Sequence, residues 1–366
     1  MMKVKNRKLV VVTAGGTGGH VYPADALATE LAKRDCEVIL YTDTRGLNNY
    51  KGKLGEIENK AILSGSVVGK SILTKFVSLT KVALGIVQAM YYLFRKRPDC
   101  VVGFGGYASF PTAIAAVILR IPLVIHEQNS VMSRTNRILA KFAVVVAQSF
   151  RTVKNTPDGV KTVLSGMPIR KSIASLHNNE YSAKTADDKM VLVILGGSQG
   201  AKIFADVVPE AIKMLSDEEK KKLVIYQQCR KGEEKEIEFL YKNVISDVTI
   251  NSFFENMPEL YKKADIIVSR AGASSVYEIA AAGLPSVLVP LSIAADNHQY
   301  YNALDFAKNN AALVIEQKDF TIDKMVKILK DFMENPQIMK DMSKAVKELA
   351  IVDAAERLAD VVEGLN

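Results

Sequence analysis

Two glycine-rich turns are the clearest candidates for chemistry in this 366-residue chain, one in each half. Residues 15–20 read Gly-Gly-Thr-Gly-Gly-His and lie between an apolar run and a helical pattern in which Pro23 suits the first turn. Glycine lets a backbone approach a ligand closely, and amides at a helix N-terminus attract anions. Since neither a Walker lysine nor a regular Gly-x-Gly-x-x-Gly is present, the turn predicts another type of anion site; a tight turn without a ligand is the alternative.

The second turn, residues 196–200, reads Gly-Gly-Ser-Gln-Gly and also joins an apolar run to a helical pattern. Ser198 adds a hydroxyl suited to phosphate. Ligands of open α/β sheets bind at the carboxyl ends of the strands. Two such turns, each after the first strand of its half, predict a cleft between two domains that holds one diphosphate-bearing ligand.

Further polar clusters follow other apolar runs. Residues 270–278 read Arg-Ala-Gly-Ala-Ser-Ser-Val-Tyr-Glu, and Glu278 lies about one turn into the helix that starts there. A carboxylate at this place can accept hydrogen bonds from a ribose diol; a surface acid that favours the helix dipole is the alternative. Residues 105–109 and 126–129 are expected at the same edge of the sheet as residues 15–20.

Short apolar runs alternate with amphipathic helical patterns, which predicts an α/β fold of doubly wound parallel sheets. The runs are residues 9–12, 38–41, 100–102, 123–125, 143–147, 162–164, 191–195, 223–226, 248–250, 266–268, 286–289 and 312–315. The polar segment 167–189 interrupts the alternation. We therefore expect an N-terminal domain of residues 1–167 and a C-terminal domain that starts at residue 168, with a last helical stretch that suits either domain.

Composition indicates a folded protein, with 48% hydrophobic and 24% charged residues. Three separated cysteines, Cys36, Cys100 and Cys229, form neither a disulfide framework nor a metal knuckle, so a reducing compartment is expected. The polar, basic start of the chain does not resemble a signal peptide. The apolar stretches 82–94 and 113–125 fall short of the ~20 residues that cross a bilayer, so no transmembrane segment is predicted.

The formal net charge of +8 is concentrated in the first half of the chain. Between residues 59 and 157 there are thirteen Lys and Arg but only two acids, Asp99 and Glu127. A basic face beside apolar residues predicts contact with anionic lipid or nucleic acid, and simple solubility is the alternative. Nucleic acid fits least, because the basic stretch carries no reader motif and no regular aromatic spacing.

In this order, the motifs resemble the MurG family, the bacterial enzymes of glycosyltransferase family 28 that make lipid II from lipid I and UDP-N-acetylglucosamine. The resemblance runs nearly end to end. It rests on residues 15–20, 105–107, 126–129, 196–200, 278–285, Gln299 and residues 302–303. It implies the GT-B fold, in which two Rossmann-like domains face each other across a cleft. The C-terminal domain, residues 168–345, would bind the sugar nucleotide, and a final helix of about residues 346–366 would return to the first domain.

The implied activity is an inverting transfer of N-acetylglucosamine to the MurNAc 4-hydroxyl of lipid I, for peptidoglycan synthesis and hence cell shape and division. The resemblance implies no structurally required metal or other cofactor, and the chain has no Asp-x-Asp. Amides and helix dipoles would offset the diphosphate charge. A UDP-sugar epimerase, another lipid glycosyltransferase of this fold and a non-catalytic nucleotide-sugar-binding module are the rival interpretations.

The resemblance also implies individual contacts. Thr17, Gly18 and Gly19 would approach donor and acceptor phosphates, Asn129 and Gln299 the N-acetylglucosamine, Arg170 and Ser198 the diphosphate, and the Phe254 backbone the uracil edge. The nucleotide would lie along Ala273, Ser274, Ser275, Val276, Tyr277 and Glu278, with Glu278 on the ribose. Two departures stand out: His298 occupies a position where some members have glutamine, and Ser274-Ser275 replaces a bulkier residue followed by threonine.

His20 is the first candidate for the general base, because it ends the first turn and histidine titrates near neutral pH. An orienting role for His20 is the alternative, and Glu127 is the alternative base. A lipid acceptor requires the enzyme to reach the cytoplasmic face of the bacterial plasma membrane as a peripheral protein, beside other cell-wall synthesis proteins. The expected membrane patch combines Lys70, Lys75, Lys81, Arg95, Lys96 and Arg97 with Ile72, Leu73, Phe76, Val77, Leu79 and Leu84.

Overall fold

The computed structural model describes residues 7–15, 18–49, 52–65, 72–182, 188–197 and 200–365. Backbone contacts divide the chain into an N-terminal unit, residues 1–170 and 353–366, and a C-terminal unit, residues 171–352. The first break thus follows Arg170, where the sequence suggested residue 168. The second precedes Asp353, where the sequence suggested a helix from about residue 346.

Seven parallel strands form the described sheet of the N-terminal unit, in the order β3-β2-β1-β4-β5-β6-β7. They are β1 (Leu9–Thr13), β2 (Glu37–Thr42), β3 (Asn59–Ala61), β4 (Cys100–Gly103), β5 (Leu123–Glu127), β6 (Val145–Gln148) and β7 (Thr162–Leu164). The helices between them are α1 (Gly18–Lys33), α2 (Thr44–Asn49), α3 (Lys53–Glu56), α4 (Ile72–Lys96), α5 (Ser109–Ile118) and α6 (Arg134–Leu139). The strand order reverses between β1 and β4, which makes the sheet doubly wound.

Helices cover both faces of this sheet because side chains alternate along each strand. Val10 and Val12 of β1 belong to a buried cluster with Leu27 of α1. Val11 belongs to a second cluster with Ala89 and Leu93 of α4. The apolar run of β1 is therefore continuous because both of its faces are buried.

The C-terminal unit repeats this plan with six described parallel strands in the order β10-β9-β8-β11-β12-β13. They are β8 (Met190–Leu195), β9 (Leu223–Gln228), β10 (Val248–Asn251), β11 (Ile266–Ser269), β12 (Ser286–Leu288) and β13 (Leu313–Val314). Its helices are α7 (Lys171–Ala174), α8 (Lys202–Lys213), α9 (Asp217–Lys221), α10 (Glu234–Tyr241), α11 (Met257–Lys263), α12 (Ala273–Ala282), α13 (His298–Lys308), α14 (Ile322–Glu334) and α15 (Pro336–Leu349). The predicted class, α/β with two doubly wound parallel sheets, is confirmed.

The last helix, α16 (Ala354–Glu363), belongs to the N-terminal unit. The Lys8 ammonium donates to the carbonyls of Val362, Glu363 and Leu365 at 2.8–3.0 Å. Carbonyls at a helix C-terminus lack helical partners, so a cation there satisfies them. Arg34, directly after α1, also pairs with Asp360 and Glu363. These contacts hold α16 against the unit that begins the chain.

Helix α4 differs from its prediction. The sequence suggested an apolar stretch of residues 82–94, whereas α4 has 25 residues. In the described chain, the segment Phe76–Lys96 of α4 meets the length and composition expected of a helix that crosses a membrane. Polar residues such as Ser78 and Lys81 interrupt the apolar sequence, whereas an amphipathic helix accommodates them on one side. One side of α4, which includes Ser78, Ala89 and Leu93, is buried against the folded unit. We therefore interpret α4 as a helix on the surface of that unit and not as a membrane span.

Candidate functional site

The turns after β1 and β4 meet where the strand order of the N-terminal unit reverses. Gly105 and Gly106 both have a φ of +80°. A Cβ on Gly106 would lie 3.0 Å from Cδ2 of His20 and 3.3 Å from Cα of Gly15. Glycine is thus required here by its backbone conformation and by the close approach of the two turns. Clusters that the sequence placed at one edge of the sheet are in contact, and His20 lies between them.

His20 lies in the first turn of α1. Its Nδ1 is buried and has no hydrogen-bond partner among the residues that the structure describes. Burial lowers the pKa of the imidazole to about 4. The ring is therefore neutral near pH 7 and its nitrogen can accept a proton, but a pKa of about 4 makes it a weaker base than the near-neutral histidine expected from the sequence.

Glu127, the alternative base, is fully buried at the end of β5. Its Oε1 accepts a hydrogen bond from the Asn129 amide at 3.0 Å, and its Oε2 accepts from the Ser133 amide at 2.9 Å. Asn136 Nδ2 also donates to Oε2 at 2.8 Å. Burial raises the pKa of this carboxyl, and these hydrogen bonds oppose the rise. Both oxygens of Glu127 thus accept hydrogen bonds from the loop that carries Asn129, and these bonds fix the position of that loop.

His126 connects this loop to the segment that follows β7. Its Nε2 donates to the Gly166 carbonyl at 3.1 Å, and its Nδ1 lies 3.2 Å from the Gln128 amide nitrogen, which donates to it. The side chain is fully buried, and burial lowers its pKa to about 4. A neutral imidazole with one donor and one acceptor nitrogen fits both partners.

Arg170, the last residue before the break, packs on the same helix that carries His20. Its guanidinium lies 5.0 Å from the centroid of the Tyr22 ring, a cation–π contact. Its charge also opposes the rise that burial causes in the pKa of Asp25 on α1. The cation expected to bind diphosphate is thus anchored at α1.

In the C-terminal unit the strand order reverses between β8 and β11, and the glycine turn at residue 196 and the start of α12 follow these strands. Gly197 has a φ of +79°, which favours glycine. Gly272 caps α12, whose first amides have no partners within the helix. The Ser274 hydroxyl is buried without a hydrogen-bond partner in the described part of the chain. Open amides, a hydroxyl and a positive helix end together suit an anion.

Glu278 lies on the second turn of α12 and is only 7% exposed. Its Oε2 accepts a hydrogen bond from the hydroxyl of Tyr261, on α11, at 3.0 Å. Burial of this kind does not fit a surface acid that only favours the helix dipole. The carboxylate is instead held inside the unit, close to the helix start that suits an anion.

The remaining donor-site candidates of the same unit lie on the loop before α11 and in the first turn of α13. Phe254 is half-buried, and its ring packs edge-on against Tyr226 with centroids 6.3 Å apart. Gln299 Oε1 accepts from the Leu291 amide at 3.0 Å, which fixes the amide orientation. His298 donates from Nδ1 to the Ala295 carbonyl at 2.8 Å, so its ring is bound to its own loop.

Comparison with known proteins identifies the family. The Glycosyltransferase family 28 N-terminal domain matches residues 10–148, and the Glycosyltransferase family 28 C-terminal domain matches residues 191–358. The chain belongs to glycosyltransferase family 28. Both reversal points therefore lie in sheets of family 28 domains.

Relatives agree over almost the whole length. Proteins of Rhodospirillum rubrum and Phenylobacterium zucineum, each named UDP-N-acetylglucosamine--N-acetylmuramyl-(pentapeptide) pyrophosphoryl-undecaprenol N-acetylglucosamine transferase, are 39% and 40% identical. The alignments cover 96% and 98% of this chain and 91% and 98% of the relatives. A crystal structure of Acinetobacter baumannii MurG is 32% identical, covers 98% of this chain and 99% of its own, and has a TM-score of 0.78.

Other solved structures share the fold at lower identity. A UDP-GlcNAc 2-epimerase from Neisseria meningitidis, bound to UDP-GlcNAc, has a TM-score of 0.68 and 15% identity, and covers 97% of this chain and 99% of its own. This likeness concerns the fold alone. The GT-B assignment of the family 28 chain is confirmed, and the epimerase alternative is not favoured.

Some predicted contacts of the family 28 site cannot be placed. Thr17 and Ser198 lie outside the described residues. Gly18 and Gly19 begin α1, and a Cβ on Gly19 would meet nothing within 4 Å. Within the described ranges, no group of three His, Cys, Asp or Glu side chains is placed to hold a metal ion.

The structure adds three residues to which the sequence assigned no role. Arg270 is buried, donates to the carbonyls of Val289 and Pro290, and lies 5.3 Å from the Phe204 ring. Asn302 donates to the Ala271 carbonyl at 3.1 Å. Tyr261 donates to Glu278, as described above. Their partners are backbone carbonyls or distant side chains, which no local spacing reveals.

Proposed function

We propose that this chain transfers N-acetylglucosamine from UDP-N-acetylglucosamine to the MurNAc 4-hydroxyl of lipid I, with inversion, and so forms lipid II. The observation that carries the proposal is the near full-length similarity to relatives whose name states this transfer. The glycine-lined edges of both sheets agree with it, since the reaction handles a nucleotide diphosphate and a lipid diphosphate.

A direct assay tests the activity. Purified protein is mixed with UDP-N-acetylglucosamine and a lipid I analogue, and UDP release and the lipid product are followed. We expect one hexosamine to be added to the lipid for each UDP released. Formation of UDP-N-acetylmannosamine without an acceptor would identify an epimerase instead, and binding of UDP without turnover would identify a binding module.

The proposed reaction is a single displacement at the anomeric carbon. The acceptor oxygen forms the new bond to C1, the bond from C1 to the UDP oxygen breaks, and UDP leaves with that electron pair. The acceptor proton passes to His20, which is neutral because burial lowers its pKa. Glu127 supports the step indirectly, because it fixes the loop that carries Asn129, the expected sugar contact.

The proposed donor site lies in the C-terminal unit. Its diphosphate meets the turn at residues 196–200 and the start of α12, where amides and the helix dipole offset negative charge. Glu278 accepts from the ribose, Gln299 contacts the sugar, and the Phe254 backbone meets the uracil. The remaining amide group of Gln299 faces the sugar as a donor, because Oε1 already accepts from Leu291.

We propose that α4 is the membrane-contacting surface of a peripheral enzyme at the cytoplasmic face of the plasma membrane. Its exposed apolar stripe consists of Val77, Leu84, Val87, Tyr91 and Phe94, which are 47% to 65% exposed. Spacings of three, four and seven residues place them on one side of the helix. Arg95 and Arg97 lie over the rings of Tyr91 and Phe94, so cations border the stripe. This combination suits an anionic interface.

The structure describes only part of the predicted membrane patch. Lys70 falls outside the described residues, and the side chains of Ile72, Leu73 and Lys75 are not described. Phe76 and Leu79, 70% and 57% exposed, add to the apolar surface of α4. Lys81 and Lys96 are exposed on the same helix.

A further inference from the structure

A buried tyrosine contacts the acid expected to bind the donor ribose. Tyr261 is 2% exposed and lies on α11, and its hydroxyl donates to Oε2 of Glu278 at 3.0 Å. Glu278 lies on α12, so the hydrogen bond joins two helices across the interior of the C-terminal unit. A hydrogen bond to a carboxylate is stronger than one between neutral groups, particularly away from water.

The position of α11 gives this contact its significance. Asn256 caps the helix through a hydrogen bond that its side chain accepts from the Glu259 amide. The segment just before it carries Phe254, the expected uracil contact. One short helix therefore follows the base-reading segment directly and carries the hydroxyl that touches the ribose-binding acid.

A ribose diol is recognised best by a carboxylate whose two oxygens face both hydroxyls. The terminal torsion of a glutamate side chain is broad, so an unrestrained carboxylate rotates readily. A hydrogen bond to one oxygen from a buried, rigid phenol restricts this rotation. We infer that Tyr261 is a positioning residue that orients the Glu278 carboxylate for the vicinal hydroxyls of the donor ribose; the inference rests on the proposed function.

The decisive experiment compares two nucleotides on Tyr261→Phe, which removes only the hydroxyl. UDP and 2′,3′-dideoxy-UDP are titrated by calorimetry into the wild-type protein and the variant. We expect UDP to bind about tenfold more weakly to the variant, the usual scale for one charge-assisted hydrogen bond. The dideoxy nucleotide should bind both proteins equally. An equal loss for both nucleotides would mean that Tyr261 only supports the fold, and no loss would also overturn the inference.

A double-mutant cycle provides a second readout. In a Glu278→Ala background, Tyr261→Phe should cause no further loss of UDP affinity, because the hydroxyl acts only through the carboxylate. Additive losses would contradict that route. In steady-state transfer, Tyr261→Phe should raise KM for the donor while kcat stays within about twofold of wild type.

Tyr241→Phe is the matched control. Tyr241 is another buried tyrosine of the same unit, and its hydroxyl donates to the Gln227 side chain at 2.5 Å. Tyr241→Phe removes a comparable buried hydrogen bond without touching Glu278. The ratio of its affinities for UDP and 2′,3′-dideoxy-UDP should therefore match that of the wild type. A wild-type protein that binds no UDP would contradict the proposed function as well. If the wild type binds UDP and Tyr261→Phe keeps the wild-type ratio of affinities for UDP and 2′,3′-dideoxy-UDP, only the present inference is overturned.

Discussion

The two reversal points, one in each sheet, are built differently. In the N-terminal unit the turns pack against each other, buried Glu127 is engaged by its own loop, and buried His126 by the Gly166 carbonyl beyond β7. In the described part of the C-terminal unit, the start of α12 has amides without helical partners and a Ser274 hydroxyl without a hydrogen-bond partner, and the buried acid Glu278 accepts a hydrogen bond from the Tyr261 hydroxyl.

This difference separates two tasks. A closely packed edge fixes the position of His20, as proton transfer requires, because a base must lie within hydrogen-bond reach of the group that it serves. An edge with open donors instead suits a ligand that arrives and leaves. We therefore expect changes in the N-terminal unit to affect turnover or acceptor access, and changes in the C-terminal unit to affect donor affinity.

The largest effect is expected from His20→Ala. Loss of the base should lower kcat by about 100-fold or more while the Kd for UDP is unchanged, because general-base catalysis contributes on this scale. Single-turnover transfer and UDP calorimetry on the same preparation measure both quantities. His177→Ala, which removes a histidine of the C-terminal unit, is the control. If His20→Ala weakens UDP binding and spares kcat, His20 orients the donor and the contrast between the two edges fails.

The membrane surface offers the next test, because only the N-terminal unit is expected to serve the lipid acceptor. Lys75→Glu with Lys81→Glu should weaken binding to anionic liposomes by about 30-fold or more, since each basic residue near such a surface contributes roughly 1 kcal/mol. Co-sedimentation measures the change. The same charge reversal at Lys324 and Lys327, both exposed on α14 of the C-terminal unit, is the control. Equal release by both pairs would mean that net charge acts, not the α4 surface.

Glu278→Ala should weaken UDP binding by about 20-fold, the scale of lost hydrogen bonds to a charged group. The fold should persist, and kcat at saturating donor should change little. Glu259→Ala, at an exposed acid of α11 paired with Lys262, controls for the loss of one negative charge. Unchanged UDP affinity in Glu278→Ala would remove this residue from the donor site and leave the C-terminal edge without its proposed role.

The sequence predicted the fold well where a strand is buried on both faces of its sheet, because such a strand has a continuous apolar sequence. Every run predicted as a strand overlaps one of the described strands, and the runs 143–147, 286–289 and 312–315 extend one or two residues beyond β6, β12 and β13. The additional strand, β3, reads Asn-Lys-Ala at the edge of its sheet, where a polar sequence is tolerated and leaves no apolar signal. Helix α4 exceeded its prediction because periodicity, not unbroken hydrophobicity, defines an amphipathic helix.

The positions of the site motifs followed from topology, since residues after neighbouring parallel strands share one edge. Their hydrogen bonds did not follow. Nothing in the spacing shows that Glu127 is engaged by Asn129 and Ser133, or that Tyr261 reaches Glu278 from a different helix. Such contacts depend on helix packing and on the direction of each side chain, which sequence periodicity does not specify.

The smallest effect concerns acid stability. His126 has a folded-state pKa of about 4 against an ordinary value of 6.5. Below pH 6.5 the unfolded chain binds a proton at this histidine, whereas the folded chain binds it only near pH 4. The contribution of His126 to the free energy of unfolding is therefore fully present above pH 6.5 and decreases as the pH falls. Between pH 7 and 5 the free energy of unfolding should fall by about 1.8 kcal/mol through this residue.

His126→Gln isolates this contribution, because glutamine does not titrate. Urea unfolding at pH 7, 6 and 5 should show a lower stability of the variant at pH 7 but a shallower fall toward pH 5. The raised pKa of Glu127 acts in the opposite direction, since a proton bound more tightly when folded stabilises the protein in acid. This term is common to both proteins and cancels in the difference. Parallel profiles would mean that His126 accepts a proton without unfolding, and that the N-terminal edge is less tightly packed than its hydrogen bonds indicate.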